Sequence, residues 1–336
     1  MNNKLSIWKI LFLIFLIVGT IYIIRNQEPY ITNSGKVFGT FYKITYKSGT
    51  DLHDAIKLKM HEVDCSLSPF NSRSIITAIN ENRDTVVNEM FTKVFNLAQE
   101  VSEQTCGAFD ITVAPMVNAW GFGFKKGTLP DSATVDSLCR YIGYKTLSLE
   151  NGKVRKLHPE TMLDCSAIAK GYGCDAVAAL LEDNGVTDFM VEIGGEVVTR
   201  GKNDKGGNWA IGISKPNDNP TTAENELQDV IVISGKSMAT SGNYRNFRYE
   251  NGKKYSHTIS PVTGYPVEHS LLSATVIADD CATADALATS FMVMGTEKAL
   301  EFCRNNEKIE GYFIYADKDG RYKTAMSSGF GKYLRK

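Results

Sequence analysis

Both glycine-rich signatures that cradle phosphates are missing from this 336-residue chain: there is no GxxxxGK[ST] and no GxGxxG. A P-loop is thereby excluded and no dinucleotide fingerprint remains. Charge of one sign is not in excess either, with 37 Lys and Arg against 38 Asp and Glu and a net charge of −1. Nucleic-acid proteins carry a basic patch or stripe, so no nucleic-acid partner is expected. Cysteine is sparse and oddly numbered: the seven lie at positions 65, 106, 139, 165, 174, 281 and 303, and none are in CxxC spacing. That pattern excludes ordinary zinc sites and disulfide scaffolds, and the cysteines are expected to serve as small buried hydrophobes. Internal repeats and low-complexity linkers are absent too.

One long apolar run is present. Ile7–Ile24 is interrupted only by Lys9, Gly19, Thr20 and Tyr22, and roughly 20 apolar residues span a bilayer. Lys4 precedes it and Arg25 follows, partly balanced by Glu28, which favours a cytoplasmic N-terminus and an exported body. No small-x-small cleavage site follows. Residues 1–30 are therefore expected to form an uncleaved signal-anchor, ahead of a cleaved signal peptide or a cytosolic extension. Residues 31–336 are expected to form the functional domain, large enough to bury a substantial core.

Within that domain, Val37–Tyr46 alternates as a strand, Asp51–Ser66 and Val87–Thr105 carry helical apolar stripes, and Ala119–Leu129 reads as irregular. Ser166–Glu182 reads as a helix stopped by Asn184-Gly185, and Ala282–Met294 as another stopped by Gly295. Phe189–Ile193, Trp209–Ser214, Asp229–Ser234, Leu271–Ala278 and Gly311–Ala316 read as strands. Strands come in groups rather than in strict alternation with helices. The expected fold class is α+β with a largely antiparallel sheet.

The segments that carry chemistry are individually weak. Cys106–Pro115 ends a helix; Phe109 and Asp110 either shape a ligand pocket or lead into a buried strand. Leu163–Tyr172 is expected where a strand meets a helix N-terminus, whose N–H groups attract anions. Lys170 adds a point charge suited to phosphate, and Asp164 or Ser166 could equally be a plain cap. Glu192–Glu196 follows a strand with two glycines that make a turn or admit a ligand. Ala239–Tyr244 lines a pocket or forms a turn. His257, in a loop built from Pro and Gly, has the imidazole suited to general-base work. Asp285 and Thr289 lie four residues apart on one helix face and offer the hard oxygen ligands that Mg²⁺ prefers.

Taken in order, these segments resemble the FAD:protein FMN transferase (ApbE) family over residues 37–330. The matching pieces are Phe38-Gly39-Thr40, Leu67–Ser74 with Asn80, and Gly107–Thr112 with Trp120–Gly123. They continue through Asp164–Gly171, Ile193–Glu196, Thr240–Tyr244, His257–Pro266 and Asp285–Thr289. The resemblance implies a T-fold-related α+β architecture and an enzyme that uses Mg²⁺ to move FMN from FAD onto a Thr or Ser of a target protein, releasing AMP. It implies redox-pump subunits as targets, such as those of the Na⁺-translocating NADH:quinone reductase. It implies attachment to the inner (plasma) membrane with the catalytic domain on the periplasmic side. It places metal ligands on Asp285, Thr289 and the Ala167 carbonyl, and FAD contacts on Phe38, Phe70, Ala108, Phe109, Asp110, Asp164, Lys170 and Ile259. His257 becomes the catalytic base. Four departures stand out: Phe38 for the usual Met, Phe70 for Tyr, Ser260 for Asp, and Ala288 where some members carry a further carboxylate. Two other functions share these residues, an FAD pyrophosphatase releasing free FMN and AMP and a flavin-binding module without turnover.

Overall fold

Alternation between Tyr30 and Lys47 builds two strands, not the single one expected over Val37–Tyr46. In the computed structural model, which describes residues 7–25, 28–125, 129–216, 226–243, 247–250 and 253–335, β1 (Tyr30–Val37) and β2 (Thr40–Lys47) pair antiparallel. Phe38 and Gly39 form the turn between them at φ 50° and 72°. Two positive φ angles match the twist of a tight hairpin.

The remaining strands are β3 (Leu147–Glu150), β4 (Lys153–Lys156), β5 (Phe189–Ile193), β6 (Glu196–Arg200), β7 (Trp209–Ser214), β8 (Leu227–Ile233), β9 (Ser237–Gly242), β10 (Phe247–Glu250), β11 (Lys253–Ser256), β12 (Leu271–Ala278), β13 (Glu310–Ala316) and β14 (Tyr322–Met326). The helices are α1 (Ile7–Arg25), α2 (His53–Leu67), α3 (Ile75–Asn80), α4 (Glu89–Gln104), α5 (Ala114–Ala119), α6 (Ser132–Cys139), α7 (Ala169–Asp183), α8 (Cys281–Met294) and α9 (Thr296–Asn305). Eight strands form one sheet in the order β1-β2-β5-β6-β9-β12-β13-β14, and every neighbouring pair in it is antiparallel. The fold is α+β, as expected.

The sheet is covered on both faces, and side-chain alternation sorts residues between them. On one face Ala239, Ala274, Val276 and Ala278 join the core beneath α4 and α8, while Val191 and Val198 pack with α7 and α2. On the other, Val197, Met238, Ile277 and Ile314 pack against Ile213, Ile231 and Ile233 of the β7–β8 hairpin and against Phe330. α7 and α8 lie side by side across the sheet.

Two expected placements change. Ala239–Tyr244, read as a pocket lining or a turn, supplies most of β9, a central strand paired with both β6 and β12, and not a turn, while Thr240, Ser241 and Gly242 do line a cavity; Tyr244 lies outside the described residues. Asp164 is preceded not by a strand but by irregular chain held by the Asp164 N–H on the Ile111 carbonyl (2.7 Å). All seven cysteines are free; Cys165, Cys174, Cys281 and Cys303 are buried as expected, whereas Cys106 is exposed.

The apolar side chains of α1 from Ile7 to Val18 are exposed. Among the described residues no helix is long and apolar enough to cross a membrane. The side chains of α1 are described only to Thr20, although the apolar run continues to Ile24. The described part of α1 therefore does not by itself carry the expected anchor.

Candidate functional site

Where α7 and α8 meet the ends of β6 and β9, the helices, the β1–β2 turn and three loops enclose a cavity of about 900 Å³. That is near the upper end of the ~300–1,000 Å³ usual for cofactor sites. All twelve residues singled out from the sequence line it: Phe38, Phe70, Ala108, Phe109, Asp110, Asp164, Ala167, Lys170, His257, Ile259, Asp285 and Thr289.

One wall is apolar. Phe38 holds a positive φ that is rare for a bulky side chain, and its ring rests on Gly173, where a Cβ would come within 2.7 Å of it. Phe109 and Ile259 are buried beside it, and Phe70, 70% exposed, stands at the rim edge-on to Phe124 (6.2 Å between centroids). Asp110 also braces the loop. Its Oδ1 accepts from the Thr112 N–H and hydroxyl (2.8 and 2.6 Å) and its Oδ2 from the Tyr144 N–H (2.7 Å). Burial pushes its carboxyl above the usual range against those bonds. Asp164 caps the Ser166 N–H (2.8 Å), and burial raises it likewise.

The charged floor lies between the two helices. Asp285 is buried on α8, and its Oδ2 accepts the Gly171 N–H at 3.0 Å. In a regular turn that N–H would bond the carbonyl four residues back, which is Ala167. Among the described residues nothing donates to the Ala167 carbonyl, so it stays available beside Asp285. Gly171 is required here by contact: a Cβ would collide with the Cys281 carbonyl and lie 2.8 Å from Asp285 Cβ. Thr289, one turn along α8, shares a hydrogen bond with Ser241 Oγ (3.1 Å). Lys170 Nζ lies 2.9 Å from Glu196 Oε1 and 3.5 Å from Asp285 Oδ1. Burial opposes its charge, but Asp285 and Glu196 outweigh burial and hold its pKa above normal. Burial, reinforced by Asp285, pushes Glu196 up to about 7 against the opposing ammonium.

The Ala169 N–H bonds the Cys165 carbonyl, so two of the helix-start N–H groups expected to hold phosphate already have protein partners. A hard cation does fit. A carboxylate, a hydroxyl and a free carbonyl converge on one cavity, and Glu196 Oε2 is a buried oxygen with no hydrogen-bond partner. Among the described residues no cluster of three His, Cys, Asp or Glu is poised for metal; the expected set uses only one such side chain.

The third wall carries His257, half-buried and edge-on to Phe122 (6.4 Å). Asn243, at the end of β9, clamps both of its flanks: Oδ1 accepts from Ser256 Oγ (2.7 Å) and Thr258 Oγ1 (2.6 Å). Trp120 Nε1 donates to the Gly264 carbonyl (2.8 Å) and pins the far side of the loop. Ser260 Oγ accepts from the Thr263 N–H, so Ser replaces Asp without losing the acceptor that closes the turn. Ala288 is fully buried in the core.

Asp64, Phe122, Glu196 and Ser241 also line the cavity but were not singled out as site residues from the sequence. Asp64 sits in a segment whose only signal is helical spacing, and Phe122 in the quoted Trp120–Gly123 stretch, where aromatic content alone does not mark a wall residue. Glu196 and Ser241 lie in motifs quoted above, but nothing in those motifs tells a wall residue from a turn residue.

An α+β protein whose large antiparallel sheet carries one cavity with an apolar wall, a floor of carboxylate, hydroxyl, carbonyl and lysine, and a histidine at its side is the class that this fold and site define. Residues 38–313 match the ApbE family, and the chain belongs to it. The FAD:protein FMN transferase of Haemophilus influenzae is 36% identical over 325 residues, covering 92% of each chain. That of Escherichia coli (strain K12) is 35% identical over 314 residues, covering 89% of this chain and 88% of its own. The flavin transferase ApbE from Vibrio cholerae superposes with a TM-score of 0.82 at 33% identity, covering 91% of this chain and all of that one.

Proposed function

We propose that this chain is a Mg²⁺-dependent FAD:protein FMN transferase. The observation that carries the reading is the convergence of Asp285, Thr289, Lys170 and His257 on one cavity with an apolar wall, in a chain that aligns with named transferases over nearly its whole length. Phe38, Phe109 and Ile259 take the flat ring surfaces, and Phe70 closes over them at the rim. Asp285, Thr289 and the Ala167 carbonyl would hold the cation. When bound, Mg²⁺ supplies charge neutralisation at the pyrophosphate and stabilises the leaving phosphate. Lys170 adds a fixed positive charge beside it. The hydroxyl oxygen of an acceptor Thr or Ser attacks the FMN-side phosphorus in line. A new P–O bond forms, the bond to the AMP phosphate breaks, and AMP leaves with the bridging oxygen. His257 takes the hydroxyl proton.

The test is acceptor dependence: with FAD and Mg²⁺, AMP should appear in step with modified acceptor and should cease on chelation. AMP release that ignores the acceptor and yields free FMN would instead establish the pyrophosphatase.

The acceptor we propose is a subunit of a membrane redox pump, such as the Na⁺-translocating NADH:quinone reductase. We propose further that Ile7–Ile24 anchors the chain in the inner membrane with the domain on the periplasmic side. The described side chains alone fall short of a span. The full 19-residue α1 measures ~28 Å at ~1.5 Å per residue, close to the ~30 Å hydrocarbon core, and its apolar side chains from Ile7 to Val18 are exposed. The full chain should stay in the membrane pellet after an alkaline carbonate wash, and a chain starting near residue 30 should not. A full-length chain released by the wash would refute the anchor.

A further inference from the structure

We infer that Glu196 is a positioning residue that holds Lys170 off Asp285 and so keeps the Asp285 carboxylate free for a cation. The inference rests on the Mg²⁺ reading above. Lys170 has two buried carboxylates within reach and sits closer to Glu196 (2.9 Å) than to Asp285 (3.5 Å). Were Asp285 its only partner, the ammonium would close on it and compete with any cation there.

Glu196 is built for this place. It is 2% exposed at the start of β6 and lines the cavity with Lys170 and Asp285. Its Oε2 is buried without a partner, an arrangement rare enough in folded proteins to call for a functional reason. The turn before it lies close to the pair: Gly194 takes φ 66°, and a Cβ there would lie 2.9 Å from Thr40 Cγ2, 3.3 Å from Glu196 Oε2 and 3.4 Å from Lys170 Cδ.

The experiment is a cycle of variants read by Mn²⁺ binding with FAD present, from the loss of the free-ion electron paramagnetic resonance signal. Mn²⁺ suits the same oxygen ligands as Mg²⁺, and the readout is an equilibrium, not turnover. Glu196→Gln keeps the shape and removes one charge, and should weaken Mn²⁺ by about 10- to 100-fold, the range for residues that orient metal ligands. Lys170→Met alone should tighten it. The double variant Glu196→Gln/Lys170→Met removes the competing ammonium together with its partner and should return close to the parent affinity. A residue serving only the fold would not be rescued by removing Lys170. Parent-like binding by Glu196→Gln, or a double variant as weak as Glu196→Gln, would overturn the inference while leaving the metal reading intact. No Mn²⁺ binding by the parent chain would overturn both.

Discussion

His257 stands at the cavity wall because Asn243 clamps its two neighbours and Trp120 pins its loop, so its role can be tested without disturbing the loop. His257→Ala should leave FAD affinity near that of the parent while transfer falls by roughly 10² or more. Steady-state transfer rates alongside FAD titration measure the two separately, and an unchanged rate would return the histidine to a structural role. At this scale the sequence was legible wherever a residue type has few uses. A histidine in a Pro/Gly loop and an Asp–Thr pair at helical spacing each suggest chemistry, and all three line the cavity. Glu196 was not legible, because a glutamate after Gly-Gly reads as a turn residue. Its burial follows from α7 and α8 closing over it, which no local pattern encodes. Asp110, marked for the cofactor, lines the cavity and also braces its loop, a second task that the sequence did not display: its oxygens accept from Thr112 and Tyr144.

Among the elements, the contact of α7 with α8 sets the geometry of the floor. Gly171 lets the helices approach until its N–H reaches Asp285, and Asp175 of α7 caps the start of α8 by accepting the Cys281 and Ala282 N–H groups (2.9 and 2.8 Å). Gly171→Ala should therefore push the helices apart and cost about 1–3 kcal/mol, the usual penalty of overpacking. A lowered urea midpoint at constant slope would show it, and an unchanged midpoint would mean that the helices separate freely. Elements with an unambiguous period were legible: α4 carries its apolar stripe, and β5, β7 and β12 run over the expected residues. β9 was not. Thr240-Ser241-Gly242 has the composition of a turn, and it becomes a strand because β12 pairs with all three residues, while β6 pairs with Ser237 and Met238 at the start of the same strand. Strand preference of this kind belongs to the neighbours more than to the residues.

Across the whole molecule, the cavity gathers residues from Phe38 to Thr289, and the sheet order brings them together. β9 is flanked by β6 and β12, so the Ile193–Glu196 turn, the end of β9 and α8 surround one space. The grouping of strands along the chain pointed to α+β with a largely antiparallel sheet, but strand order depends on long-range pairing that the chain does not display locally. The account then rests on what this single cavity does with FAD. The most direct measurement is the intact mass of a candidate redox-pump subunit incubated with residues 31–336, FAD and Mg²⁺, with AMP and free FMN quantified in the same tube. The account predicts a mass gain of one FMN on the acceptor, AMP in equal amount and little free FMN, all lost with Asp285→Ala. An acceptor of unchanged mass beside stoichiometric free FMN and AMP would contradict it, as would undiminished transfer by Asp285→Ala.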